Sequence, residues 1–264
     1  VVLKPQWFGI TDPSLPARIS FLMVGLWWLG FSMIPFKYLP QIEATGGNAG
    51  KSFVQNVRDE FNHVIQQIKG IPEIKQFLPA FFFYAIGVQT LMIVASSFGE
   101  KILHLGAERL IATILLIQLV AILGAFLMSY LSKLFGNIKV LIVVVMIWIA
   151  ICIAAFYLST PLQFYIIAAL VGLVMGGIQS LSRSTYSKLI PTDIKDTTAF
   201  FSFYDVTENA PLVIGMFSFG YITELAGSQR NAVLALIIFF IIGFFLLLYT
   251  LRTQMIKANE AVHN

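Results

Sequence analysis

The chain has 264 residues, is 58% hydrophobic, and carries a formal net charge of +4 with a mean hydropathy of +0.84. Only 11% of its residues are charged, against about 25% in an average soluble domain, which excludes a water-soluble globular protein and implies an all-α integral membrane protein. Its one cysteine, Cys152, excludes an intrachain disulfide or a cysteine metal cluster, and the small positive charge suits loop asymmetry in a membrane protein rather than nucleic-acid binding.

Residues 1–17, with Pro5, Pro13 and Pro16, read as an extended loop leading into a first apolar span, Ile19–Phe36. Trp27 and Trp28 lie near the middle of that span, which predicts packing residues rather than an interfacial belt. Gly46, Gly47 and Gly50 mark a flexible linker. Beyond it, Phe53, Val57, Phe61, Val64, Ile65 and Ile68 recur at helical spacing, so Lys51–Lys69 is predicted to be an amphipathic helix. With Lys51, Arg58 and Lys69 on it, this helix suits an anionic membrane surface; a partner-binding helix is the alternative. Pro72 ends it. Six further spans follow at Phe77–Phe98, Leu110–Leu131, Val140–Leu158, Leu162–Tyr186, Ala199–Leu225 and Ala232–Leu251, giving seven membrane helices.

The stretch from Gly172 to Asn209 breaks the apolar pattern. At 100° per residue Gln179, Ser182, Arg183 and Tyr186 share one helix face, with Gly172 and Gly176 on the same face one and two turns earlier. After a polar turn through Pro191 and Asp196, Tyr204, Asp205, Glu208 and Asn209 occupy one side of the next span. An ionised side chain at mid-bilayer costs about 2.5–3.5 kcal/mol on insertion scales, so helices that carry one turn it toward protein or a water-filled cavity. Two neighbouring polar stripes are therefore expected to line a solute or ion pathway; the alternative is that they merely pin two helices together. Gln89, Gln118 and Gln179, each alone on an apolar helix, are candidates either for the pathway or for helix-to-helix glue.

Orientation and absences narrow the choice. Twelve lysines and arginines fall on the side of the Gly46–Lys75 linker and five (Lys4, Arg18, Lys101, Arg109 and Arg230) on the other, which places the linker and the C-terminus in the cytoplasm. His63, His104 and His263 fall outside the spans, and no two have metal-ligand spacing. No Walker-type phosphate loop is present, and the last span lacks the lysine a retinal Schiff base needs. An enzyme, an ATP-driven pump and a light receptor each lose their characteristic residues; no cofactor is expected.

Gly176-Gly-Ile-Gln-Ser-Leu-Ser-Arg-Ser184, Lys188-Leu-Ile-Pro191, Phe200-Phe-Ser-Phe-Tyr-Asp205 and Gly227-Ser-Gln-Arg230 together resemble the C-terminal half of a major facilitator superfamily branch, the one related to the yeast vacuolar amino-acid effluxer of autophagy and its bacterial homologues. The resemblance runs from Arg18 almost to the end. It implies a fold of twelve helices in two halves, of which the seven spans here are the sixth to the twelfth. Residues 1–40 would hold the external loop and last helix of the first half, 41–75 the central cytoplasmic linker, and 76–264 the second half. A chain starting without Met is then expected to lack its first five helices, whose N-terminal half becomes its expected partner. The implied function is secondary transport of small solutes, amino-acid efflux among them, by alternating access in a bacterial inner membrane; proton coupling through Asp205 or Glu208 is expected from the residues themselves, since such coupling needs titratable carboxylates within the membrane. One departure concerns the loop Ser129–Lys139: Gly136 and Lys139 match the superfamily pattern, but Lys133 stands where an acidic residue is usual. The residues alone leave two rivals, a seven-helix receptor and a non-transporting membrane scaffold.

Overall fold

The computed structural model describes residues 9, 12, 14–38, 53–192, 194 and 197–263, without the side chains of residues 53, 54, 56, 57, 60, 257, 258 and 260–263. Pro5, Pro13, the linker glycines Gly46, Gly47 and Gly50, and Lys4, Lys51, Lys195 and Asp196 lie outside the described residues. The chain divides into two compact units, Val1–Asn56 and Val57–Asn264. The described residues of both are helical apart from turns and short connections.

In the first unit, α1 covers Leu15–Tyr38. Asp12 Oδ1 accepts from the Ser14 N–H (2.8 Å) and hydroxyl (2.9 Å), and these bonds hold its carboxyl below the usual carboxylate range. Trp27 and Trp28 are 65% and 72% exposed, and the Trp27 ring lies 4.4 Å from Phe31 of its own helix. Among the described residues of this unit nothing covers Trp27 or Trp28, so the expected packing role for these two tryptophans is not seen there.

The second unit holds most of α2 (Phe53–Lys69) and all of α3 (Pro72–Leu103), α4 (Ala107–Phe135), α5 (Asn137–Phe156), α6 (Pro161–Leu189), α7 (Thr197–Ala226), α8 (Gln229–Ala235) and α9 (Ile237–His263). Helices win here because a backbone in lipid must satisfy its own hydrogen bonds. The ends are set by local chemistry. Thr160 and Gln163 form a reciprocal capping box at the start of α6, and Ser228 caps α8. Gly136, at φ +90, turns α4 directly into α5, a backbone conformation that residues with a Cβ rarely adopt.

Among the described residues six segments are long and apolar enough to cross a membrane: α1, α3, α4, α5, α6, and α8 with α9 taken as one. α7 has the length, at 30 residues, but not the apolarity. Its polar stripe is the reason, so length and hydropathy give six spans where seven were expected. The final span also differs from a single continuous helix, since the chain turns at Leu236 between α8 and α9.

Two seams set the packing. α4 and α6 run parallel, Ile117 beside Gly172 and Ala121 beside Gly176, so close that a Cβ on Gly176 would strike the Ala121 carbonyl. Lipid tails are as apolar as leucine, so helices gain little from burying apolar area against each other, and close van der Waals approach at small residues decides the seam. Elsewhere α3 and α9 interlock through Tyr84, Gly243 and Phe240, and Trp148 of α5 stacks on Phe240 at 5.8 Å. α2 does not present its whole apolar face to lipid as the surface-helix reading expects. Val64 and Ile68 are buried, and the Phe61 ring meets Phe203 of α7 at 5.1 Å, while Arg58 and Lys69 stay exposed.

Candidate functional site

The α4 seam occupies the Gly172 and Gly176 end of one face of α6, where the neighbouring backbone takes up the close approach those glycines allow. Further along, α4 drifts toward Gly177, which meets Met128; Gln179 and Arg183 are left accessible, while Ser182 and Tyr186 of the same face are buried against α3 and α7. There Gln179, Ser180, Arg183, Ser184 and Ser187 of α6, with Phe201 and Glu208 of α7, line a cleft of about 570 Å³. A small recess continues inward, lined by Phe81, Tyr84, Val88 and Gln89 of α3, Gln179 and Ser182 of α6, and again Glu208. Gln179 and Glu208 line both spaces, with Arg183 in the cleft and Gln89 in the recess.

At the rim of the cleft Arg183 Nη1 lies 3.5 Å from Asp205 Oδ1. The guanidinium carbon also sits 5.5 Å from the Phe201 ring and 5.8 Å from the Tyr204 ring. The two charged side chains are 55% and 52% exposed, so water screens the pair and it contributes no more than about 1 kcal/mol. Such an exposed pair is weaker than a buried one would be. The arrangement orients the guanidinium while leaving most of its five donors free.

Behind the opening lies an aromatic and hydroxyl layer. The Ser182 hydroxyl donates to the Ile178 carbonyl at 2.5 Å, so in the 2.7 Å contact with Tyr84 the tyrosine is the donor. Tyr186 donates to the Phe200 carbonyl at 2.9 Å and ties α6 to the start of α7. The Tyr204 ring stacks on Phe81 at 4.7 Å and lies 5.0 Å from Tyr186, with its own buried hydroxyl unpartnered.

Of the residues singled out in the sequence, Gln89, Gln179, Ser182, Arg183 and Glu208 line the joined cleft, and Asp205 stands at its rim. Tyr186 and Tyr204 are buried behind it as supports. Asn209 is exposed and donates to the Asp205 carbonyl of its own helix at 2.7 Å. Gln118, exposed on α4, lines neither part of the cleft, because α4 meets α6 along Ile117, Ala121, Gly124 and Met128 and leaves Gln118 off that seam. Sequence reading missed Tyr84 and Phe81, which carry no signal on an apolar helix. It also missed Ser180, Ser184 and Ser187, whose i, i+4, i+7 spacing does signal a polar face. Among the described residues no three His, Cys, Asp or Glu side chains gather as a metal site would require.

The chain is similar to known proteins over most of its length. The profile of the family described as vacuole effluxer Atg22 like matches residues 7–260. The chain is 30% identical over 239 residues to the uncharacterized MFS-type transporter YxiO of Bacillus subtilis, covering 89% of this chain and 54% of that protein. It is 26% identical over 255 residues to autophagy-related protein 22-1 of Penicillium rubens, covering 87% and 43%. With autophagy-related protein 22 of Yarrowia lipolytica the figures are 27% over 270 residues, 91% and 45%. The chain spans about half the length of the curated relatives it matches. No solved structure matches it significantly. With the match running over nearly all its length, the chain belongs to the vacuole effluxer Atg22-like family.

Proposed function

We propose that this chain forms the C-terminal half, with one preceding helix, of a secondary transporter that moves small solutes by alternating access. The observation that carries the reading is the cleft where Gln89, Gln179, Arg183 and Glu208 meet between apolar helices. α7 is read as a further span, sixth of seven in chain order, its Asp205, Glu208 and Asn209 tolerated because that side faces water or protein and not lipid. The open side of the cleft is where a second helical half would stand, so that rocking one half against the other exposes the same residues to each side in turn. Arg183 offers a fork of donors to a carboxylate, and Glu208 can accept an ammonium group or carry a proton; an amino acid presents both groups. Export of such solutes, proton coupling through Glu208 with Asp205 holding Arg183 in place, an inner-membrane location and a cytoplasmic C-terminus complete the proposal.

The single native cysteine, Cys152, is buried, which allows a direct test. Gln179→Cys and Ser184→Cys should react with a water-soluble maleimide in membranes, and a transported solute should slow the reaction. Labelling that no solute alters, across a panel of amino acids and related small solutes, would argue against a solute pathway here.

A further inference from the structure

At the end of the bundle where α4 and α6 finish and α5 begins, a separate cavity of about 370 Å³ opens between α4, α5, α6 and α9. Gly136 delivers the chain into α5 with no side-chain cap, and Gly136, Asn137 and Lys139 line the space. The start of α5 and the ends of α4 and α6 all border it, so helix dipoles of opposite sign meet there and whole charges decide its potential. Lys139 stands in the first turn of α5, and Lys188 comes from the last turn of α6.

The polar groups between them are fixed by protein contacts. Thr185 donates its hydroxyl proton to the Leu181 carbonyl at 2.6 Å and accepts from Asn137 Nδ2 at 3.1 Å. Asn137 is therefore held with its oxygen outward, and that oxygen accepts from Lys188 Nζ at 3.1 Å. An amide oxygen orients the ammonium without neutralising it, and two of its three N–H donors remain for a ligand. The lining residues include no carboxylate. Leu251 and Met255 of α9 add an apolar wall beside Gln254. The cavity lies where apolar spans end, which is the depth of lipid headgroups.

We infer that this pocket binds a phosphate group, carried by an anionic phospholipid whose apolar part runs along the α9 wall or by a soluble phosphate. Basic pockets between membrane helices bind anionic headgroups by this combination of charge and apolar flank. Such a ligand would tie the α4–α5 turn to α6 and α9. The site stands independently of the transport reading.

The test is native mass spectrometry of the full chain, delipidated and then titrated with phosphatidylglycerol, with phosphatidylcholine, or with inorganic phosphate. Phosphatidylglycerol should be retained and phosphatidylcholine lost. Lys139→Gln should weaken retention about fivefold, and adding Lys188→Gln about 25-fold in all. Lys133→Gln removes an exposed lysine that does not line the pocket and should leave retention unchanged. Displacement of the lipid by millimolar inorganic phosphate would identify soluble phosphate as the ligand, and lipid that resists displacement would identify the headgroup. Should Lys188→Gln fail to fold, exposed Lys139 decides the matter alone. Equal retention of both lipids, or a loss in Lys133→Gln equal to that in Lys139→Gln, would overturn the inference.

Discussion

Ser182 has one proton, and the Ile178 carbonyl takes it, so the buried Tyr84 hydroxyl depends on Ser182 as an acceptor. The two deletions should therefore be unequal. Ser182→Ala strands the tyrosine and should cost about 1–3 kcal/mol, whereas Tyr84→Phe leaves the serine satisfied and should cost less. Tyr84→Phe combined with Ser182→Ala should be little worse than Tyr84→Phe alone, and denaturation of the four proteins in detergent would reveal strict additivity if the bond were incidental. Arg183 behaves differently, because its partner is exposed. Arg183→Ala should shift stability by no more than about 1 kcal/mol while abolishing transport, and Arg183→Lys should restore the charge without the guanidinium's contacts with the Phe201 and Tyr204 rings. A large loss of folded protein from Arg183→Ala would mean that the pair is structural.

At the scale of the helices, glycine is worth two opposite effects. Glycine to alanine in a helix interior gains about 0.5–1 kcal/mol from backbone entropy, and overpacking a tight contact costs about 1–3 kcal/mol. At Gly176 the Ala121 carbonyl lies in the path of a Cβ, so overpacking wins and Gly176→Ala should lower the melting temperature. Gly220 on α7 has open space, so Gly220→Ala should be neutral or stabilising. Similar shifts for both would show that the α4–α6 seam is looser than described. This seam also marks the limit of sequence reading. Helical periodicity put Gly172, Gly176, Gln179 and Arg183 on one face, and they are there. That α4 covers the glycine end and leaves Gln179 and Arg183 accessible depends on a crossing between helices some fifty residues apart, which no local pattern encodes. The same holds for Tyr84 and for Gln118, whose roles are set by which neighbour each meets. The apolar face of α2 was legible, but lipid and protein are equally good covers for it, and Phe203 supplied the answer. The turn at Leu236 had no signal, since no proline or glycine marks it.

At the scale of the bundle, six spans among the described residues carry ordinary membrane-helix composition and α7 departs from it at Asp205 and Glu208. That departure is what transport would require of it. Glu208 reaches both the open cleft and the inner recess, beside Gln179 in each, and so occupies the position from which a carboxylate could feel both solute and proton. The decisive measurement is uptake of radiolabelled amino acids and related small solutes into proteoliposomes containing the full-length gene product, with and without an imposed pH gradient. The account predicts gradient-driven movement by the parent protein, and that Glu208→Gln loses the gradient-driven component while retaining solute exchange at equal pH. Gradient-driven transport by Glu208→Gln at the parent's rate would contradict it.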